Sequence, residues 1–163
     1  MSLTRFTLRR RKQRLPVSNS ENFYEPEVCD ARAQGVPGDI EFFLGLAKEA
    51  DAAGHPVLEL ATGTGRVAIP IARAGVRVVG LDLSKAMLAQ AGEKSKELEN
   101  LRWAQGDMKS FDLPEEFGLI CVPFRSFQHL LTVEVRSPAW NASTSTWYPE
   151  AASHSIYSIR TLF

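Results

Sequence analysis

The chain has 163 residues, of which 44% are apolar and 23% are charged, and its formal net charge is zero. The composition is typical of a soluble globular protein, and the length suits one domain but not two. The two cysteines lie far apart without metal-ligand spacing, and the longest apolar run (119–124) is too short to cross a bilayer. We therefore expect a cytoplasmic protein with no disulfide framework, no bound metal and no membrane partner.

Charge is distributed unevenly along the chain. The first fourteen residues contain six basic side chains and no acid, which leaves 13 basic and 19 acidic residues for the remainder. Residues 1–21 are therefore predicted to be a basic, disordered tail, an arm that attracts nucleic acid, or the product of an upstream start codon chosen in error. An acidic body is a poor surface for nucleic acid, so the body is predicted to bind a small molecule.

The first predicted element is a helix that begins at Gly38-Asp39, since apolar residues then recur at helical spacing until Gly54. The period changes at 57–61, where a short apolar run bounded by breakers predicts a buried parallel strand. A glycine-rich turn, 62–65, joins this strand to the next helix.

Helices and strands alternate through the following residues. The predicted elements are a helix over 66–74, a strand over 76–81, a helix over 85–98 with Ser84 as its N-cap, and strands over 101–105 and 117–122. Apolar strands that alternate with helices are typical of a parallel sheet covered on both faces. We predict an α/β fold with a doubly wound, Rossmann-like parallel sheet.

The segment that carries chemistry is the loop after the first predicted strand. Its glycines, Gly63 and Gly65, let the backbone pass close to a ligand and direct the N–H groups of a helix start toward it. Glu59 lies in the strand just before the loop, where a carboxylate is costly to bury without a partner. Asp82 and Asp107 follow at the ends of the next two strands, so three carboxylates are predicted to meet at one edge of the sheet.

These motifs together resemble a known family. The pattern E-x-A-x-G-x-G, followed by L-D-L-S and G-D-M at the ends of the next two strands, resembles class I S-adenosylmethionine (SAM) dependent methyltransferases. The stretch at 123–130, P-F-R-S-F-Q-H-L, is similar to one in small bacterial members. The resemblance spans residues 22–134 and implies methyl transfer from SAM to a small-molecule acceptor. The residues that it implies for binding SAM are Glu59, Ala61, Gly63, Gly65, Asp82, Leu83, Met87, Gly106, Asp107, Met108 and Pro123.

The resemblance also implies which part of the cofactor each of these residues would contact. Glu59 would lie near the methionine end of SAM, Asp82 would bind the ribose hydroxyls, and Asp107 would accept a hydrogen bond from the adenine amino group. The apolar residues that would lie beside the adenine are Leu83, Met87 and Met108. Ala61 stands where many relatives have glycine, and Pro123 would open the mouth through which the methyl group is transferred.

Each of these residues also has a structural alternative. Gly63 and Gly65 would serve equally as turn residues, Asp82 as an acid at a helix N-terminus and Asp107 as a turn residue. Trp103 is predicted to be a core residue.

No catalytic residue follows from the sequence. Methyl transfer from a sulfonium mainly requires that nucleophile, carbon and sulfur be held in line, and some members use a general base whereas others need none. Arg125 and His129 are the candidates, although His129 is equally well explained as a structural histidine. Two other functions stay open: a nicotinamide-dependent dehydrogenase, which shares the sheet and the ribose-binding acid, and a non-catalytic chain that binds SAM.

Residues 136–163 form an atypical segment after a predicted SAM-binding domain over 22–135. The segment is rich in Ser and Thr and has neither helical nor strand periodicity. Read two bases later, its codons allow a helix, a V-P-G-G turn and a strand that resemble the continuation expected of the family, so we predict a frameshift near 134–137. The translated chain would then have a sheet that is incomplete on its C-terminal side, with an unpaired edge beside the fourth strand and little transferase activity.

Overall fold

The computed structural model describes residues 25–32, 35–123, 126 and 157–158. In this part of the chain, five parallel strands form one sheet in the spatial order β3-β2-β1-β4-β5. The strands are β1 (Val57–Leu60), β2 (Val78–Asp82), β3 (Leu101–Gln105), β4 (Leu119–Val122) and β5 (Tyr157–Ser158). The predicted Rossmann-like α/β fold is therefore confirmed.

Four helices accompany the strands within the described residues. They are α1 (Pro26–Arg32), α2 (Asp39–Ala52), α3 (Ala68–Arg73) and α4 (Lys85–Lys94). The last three were predicted, whereas α1 was missed because its segment shows no helical period. The predicted N-cap of α4 is confirmed, since the Ser84 hydroxyl accepts a hydrogen bond from the Met87 N–H at 3.3 Å.

Element ends differ from the prediction by a few residues, for local reasons. β1 stops before Ala61 because that residue has a φ of 53°, which no strand residue adopts. The predicted helix over 85–98 is too long, since α4 ends at Lys94. There the Ser95 hydroxyl donates to the Ala91 carbonyl at 2.8 Å and competes with the helical hydrogen-bond pattern.

The core consists of two clusters, one on each face of the sheet. On the first face, strand residues such as Val57 and Val78 pack against Phe43 of α2 and Ile71 of α3. On the second face, the alternate strand residues form a cluster with Phe117, and the half-buried side chains that pack against it come from β3 and the segment after it. Among the described residues, α2 and α3 therefore cover the first face of the sheet. The second face is covered mainly by residues outside helices and strands.

Trp103 on β3 joins the sheet to the turn that follows β1. It pairs in register with Gly80 of β2, and its ring occupies the space that a side chain at Gly80 would need. A Cβ atom added to Gly65 would likewise lie 2.8 Å from the same ring. Trp103 is half-buried against the helix-covered core cluster, as predicted, and its indole N–H donates to the Ser95 hydroxyl at 3.2 Å.

The outer edge of β4 differs from the expectation of an unpaired edge. Tyr157 and Ser158 of β5 pair in parallel with Cys121 and Val122. The expectation is therefore wrong at these two positions, because the C-terminal segment supplies backbone hydrogen-bonding groups there whatever its side chains are. The remaining expectations for residues 1–21 and 136–163, including the basic tail and the frameshift, lie outside the described residues. None of the helices that the structure describes is long and apolar enough to span a bilayer.

We expect Gly80→Ala to destabilise the protein by about 1–3 kcal/mol, because the new methyl group would overlap the Trp103 ring in a packed core. Gly45→Ala is the matched control, since Gly45 lies on the exposed side of α2 with open space around it and the change should stabilise the helix by about 0.5–1 kcal/mol. Urea unfolding of both variants measures the two effects. Equal unfolding free energies for the two variants would contradict the proposed packing.

Candidate functional site

A cavity of about 310 Å³ lies at the carboxyl ends of β1 and β4. The strand order reverses between these two neighbours, since the chain moves from β1 outward to β3 and then returns to β4 on the other side. Two connections that leave in opposite directions open a crevice at this point, which is where open α/β sheets bind ligands. The described residues that line the cavity are Cys29, Asp30, Glu59, Ala61, Thr62, Gly63, Thr64, Arg66, Pro123 and Ser126.

Half of these lining residues belong to one segment, Ala61–Arg66, which we call the binding loop. Three of its residues have left-handed backbone angles, with φ of 53° at Ala61, 59° at Gly63 and 84° at Gly65. Glycine adopts such angles at little cost, whereas an alanine is strained by about 1–2 kcal/mol. Among the described residues Ala61 is the one non-glycine residue with a positive φ, and it lies in the cavity wall.

Glu59, the third residue of β1, anchors the start of the binding loop. Its side chain is only 3% exposed, and its carboxyl group accepts a hydrogen bond of 2.9 Å from the Thr62 hydroxyl. Burial raises the pKa of Glu59 to about 8, although hydrogen bonds from Thr62 and the Ala68 N–H and the charge of Arg66 act in the opposite direction. A protonatable carboxyl group is thus held in the wall of the cavity.

Asp82 anchors the middle of the binding loop from the end of β2. One carboxylate oxygen accepts from the Gly63 N–H and the other from the Ser84 N–H, each at 2.8 Å. Burial raises the pKa of Asp82, although these backbone hydrogen bonds oppose the shift. The carboxylate is therefore oriented by its neighbours, and its two oxygens together can accept a further donor.

Asp30 on α1 anchors the next residue of the loop. It accepts hydrogen bonds from the Thr64 hydroxyl, from Gln90 at 2.7 Å and from the Lys94 ammonium group. Burial raises the pKa of Asp30, but these hydrogen bonds outweigh burial and keep its pKa below the ordinary value. Because a helix of seven residues is not stable alone, this carboxylate holds α1 against the loop and α4.

Arg66 ends the binding loop and forms an ion pair with Asp39 at the start of α2. The two guanidinium nitrogens donate to the two carboxylate oxygens at 3.0 and 2.7 Å, which is the bidentate geometry of a strong charge-assisted contact. Asp39 is 7% exposed and Arg66 23% exposed. Burial raises the pKa of Asp39, but its hydrogen bonds, foremost that from Arg66, hold the pKa below its ordinary value.

The predicted SAM-binding residues fall into three groups in the structure. Those that line the cavity are Glu59, Ala61, Gly63 and Pro123. Gly65 and Asp82 lie directly behind the lining, the first as part of the loop and the second as the partner of Gly63. Those placed after β2, in α4 or after β3, and not in the lining, are Leu83, Met87, Gly106, Asp107 and Met108.

The third group adjoins Asp82 along the edge of the sheet. The Gly106 N–H donates to the Asp82 carbonyl at 3.0 Å, which brings the ends of β2 and β3 together. The Asp107 carboxylate accepts a hydrogen bond of 3.0 Å from the backbone N–H of Lys109. It also forms an ion pair with the ammonium group of Lys109 at 2.9 Å. Asp107 thus has the geometry of a turn residue here, and its prediction as an adenine ligand stays a prediction.

Sequence reasoning missed two acids of the site. Asp30 lies in a segment without periodicity, and Asp39 resembles an ordinary helix N-terminal acid, so neither offers a local signal for contact with a loop about 30 residues away. The catalytic candidates Arg125 and His129 lie outside the described residues. Among the residues that the structure describes, no group of three or more His, Cys, Asp or Glu could hold a metal ion.

Comparison with known proteins identifies the family. A family model described as a methyltransferase domain matches residues 57–144, which is more than half of the chain. This chain belongs to the methyltransferase domain family. The match begins at the first residue of β1 and includes Glu59, the binding loop and the strand-end acids.

Individual members of the family are similar over shorter spans. The chain is 36% identical over 113 residues to a glycine/sarcosine N-methyltransferase of Parasynechococcus marenigrum (strain WH8102), which covers 68% of this chain and 38% of that protein. Among solved structures, the CcbJ methyltransferase from Streptomyces caelestis superposes with a TM-score of 0.67 at 26% identity, over 80% of this chain and 55% of that one. SAM-bound CalS10, an amino pentose methyltransferase from Micromonospora echinaspora, superposes with a TM-score of 0.64 at 26% identity, over 78% and 53%. The chain therefore spans about half the length, or less, of these relatives.

We expect Ala61→Gly to stabilise the protein by about 0.5–1 kcal/mol, since relief of the left-handed strain exceeds the added flexibility of the unfolded chain. Ala74→Gly is the control, because Ala74 is exposed with φ of −81° and should lose about 0.5–1 kcal/mol. Thermal and urea unfolding measure both. A loss of stability in both variants would show that Ala61 is not strained.

The raised pKa of Glu59 predicts a pH-dependent stability. Between pH 4.5 and about 8 the unfolded chain releases a proton that the folded chain retains, so the free energy of unfolding should fall as the pH rises. The slope attributable to this group is at most about 1.4 kcal/mol per pH unit, and it disappears above the folded pKa. Urea unfolding of wild type and Glu59→Gln across this range tests the expectation. Parallel stability curves for the two proteins would contradict a raised pKa at Glu59.

Proposed function

We propose that the chain is the cofactor-binding part of a SAM-dependent methyltransferase that acts on a small-molecule acceptor. The observation that carries the proposal is the cavity at the reversal point of the sheet, where Glu59, the binding loop and Asp82 are joined by hydrogen bonds. Membership of the methyltransferase domain family supports the same conclusion.

The residues present fit the cofactor from the methionine end to the ribose. Gly63 adopts its left-handed angle without a Cβ atom and has open space beside it, so a ligand can approach the backbone of the binding loop there. Asp82 would accept hydrogen bonds from the ribose hydroxyls with its remaining lone pairs, and Glu59 would bind the methionyl ammonium group directly or through water. The adenine would extend past Asp82 toward Asp107 and Met108.

Bound SAM would supply a methyl group on a positively charged sulfur. The contribution of this chain is then to hold that group in line with the acceptor and to exclude water, which is catalysis by proximity. Pro123 and Ser126 line the side of the cavity that follows β4, so the acceptor would enter between them and the binding loop. Arg125 and His129, which lie close to Ser126 in the sequence, stay the candidates for contact with the acceptor.

The acceptor is proposed to be a small molecule that carries an amine. The support is that two relatives are named for such substrates, glycine or sarcosine in one case and an amino pentose in the other. The buried carboxyl group of Glu59 in the lining also favours a ligand with a cationic group. A cytoplasmic location is proposed with it, supported by two free cysteines among the described residues.

Calorimetry should detect binding of SAM and S-adenosylhomocysteine and no binding of NAD. Asp82→Asn should weaken SAM binding about tenfold or more, because it removes the charge that strengthens the hydrogen bonds to the ribose. Asp51→Ala, on the exposed end of α2, is the control and should leave the affinity unchanged. Binding of NAD in place of SAM would support the dehydrogenase alternative and overturn the proposal.

Turnover separates an enzyme from a protein that only binds SAM. With methyl-labelled SAM and a panel of small amines, sugars and hydroxyl compounds, we expect slow label transfer, with an amine as the preferred acceptor. Binding of SAM without label transfer to any acceptor of the panel would favour the non-catalytic alternative.

A further inference from the structure

We infer that Arg66 binds the carboxylate of the methionyl group of SAM and thereby selects cofactors that carry an intact amino-acid end. This inference rests on the proposed function, because it concerns one end of the same ligand. It adds a residue that the sequence motifs do not assign, and it follows from the charges around the cavity.

The first observation is the composition of the lining. Among the described residues that line the cavity, Arg66 is the one with a positive charge, and it shares the lining with the carboxyl groups of Glu59 and Asp30. A zwitterionic ligand end needs one acidic and one basic partner, because burying a charge without a counter-charge is costly. Glu59 supplies the partner for the ammonium group by releasing its proton when that group binds, and Arg66 supplies the partner for the carboxylate.

The second observation is that the charge of Arg66 reaches both sides of the cavity. It lowers the pKa of Glu59 on β1 and the pKa of Cys29 on α1, two lining residues that belong to different elements. In both residues burial is the larger effect and raises the pKa, so Arg66 acts against it. As a lining residue, Arg66 is therefore within electrostatic range of residues on β1 and α1 and of a ligand that fills the cavity.

The third observation is that Arg66 is oriented before any ligand arrives. Its bidentate contact with Asp39 fixes the guanidinium plane through two of its five N–H groups. The backbone at Gly35 passes so close that a side chain there would overlap both Arg66 and Asp39. An oriented group loses little entropy when it binds, so the ion pair makes Arg66 a better carboxylate partner than a flexible arginine would be.

The competing explanation is that Arg66 only connects the binding loop to α2. In that case its removal would weaken every cofactor analogue to the same degree. A carboxylate-binding role predicts a different pattern, in which only analogues with the carboxylate lose affinity.

The test compares SAM with decarboxylated SAM, which keeps the ammonium group and lacks only the carboxylate. For wild type we expect SAM to bind about tenfold or more tightly than the decarboxylated analogue. Arg66→Met should reduce this ratio to about one by weakening SAM while leaving the analogue nearly unchanged. Arg73→Met is the matched control. It removes an exposed arginine of α3 that is paired with Glu97, and it should keep the wild-type ratio.

Two further variants separate binding from folding. Asp39→Asn breaks the same ion pair but keeps the guanidinium group, so it should retain most of the discrimination between the two ligands. Arg66→Lys keeps a cation without the planar fork and should retain a reduced ratio, which makes it the decisive variant if Arg66→Met does not fold. Circular dichroism and thermal unfolding establish that each variant is folded.

The outcomes distinguish this inference from the proposed function. If neither ligand binds to wild type, the proposed function fails. If both bind and the ratio is the same in wild type and in the folded Arg66 variants, or if Asp39→Asn loses the discrimination as fully as Arg66→Met, the role assigned to Arg66 is overturned. A ratio that falls only when the guanidinium group is removed supports it.

Discussion

The structure depends on how one short loop is held by carboxylates. Thr62 donates to Glu59, Gly63 to Asp82, Thr64 to Asp30 and Arg66 to Asp39, so four anchors connect the loop to β1, β2, α1 and α2. A loop with left-handed angles at three positions would sample many conformations in isolation. Because each anchor comes from a different element, the loop can adopt its shape only once the sheet and its helices have assembled.

The anchors also explain why costly features are tolerated at this site. A carboxyl group is buried at Glu59 and an alanine occupies a left-handed position at Ala61, and both lie in the cavity wall. Strain and desolvation of this kind persist only where surrounding structure determines the conformation, and they tend to occur at ligand sites. The two closely packed core clusters beneath the loop, with Trp103 against Gly65 and Gly80, supply the rigid support.

Charge at the cavity is arranged in opposed pairs rather than as a single acidic crevice. Asp30 is held by Lys94 and Asp39 by Arg66, whereas Glu59 and Asp82 accept only hydrogen bonds from neutral groups within the described contacts. The paired acids organise the protein, and the unpaired ones keep lone pairs for a ligand. This division is the physical basis for assigning Glu59 and Asp82 to the cofactor and Asp30 and Asp39 to support.

The sequence by itself determined the parallel α/β fold and the binding loop, because both depend on neighbouring residues. Apolar runs between breakers identified β1 to β4, and glycines directly after an acid-bearing strand identified the loop. Only the tertiary structure decided that Asp30 and Asp39 join the site, that Asp107 contacts Lys109, and that Tyr157 and Ser158 pair with β4. Most of these contacts join residues far apart in the chain, and local patterns carry no information about which distant residues meet when strands and helices pack.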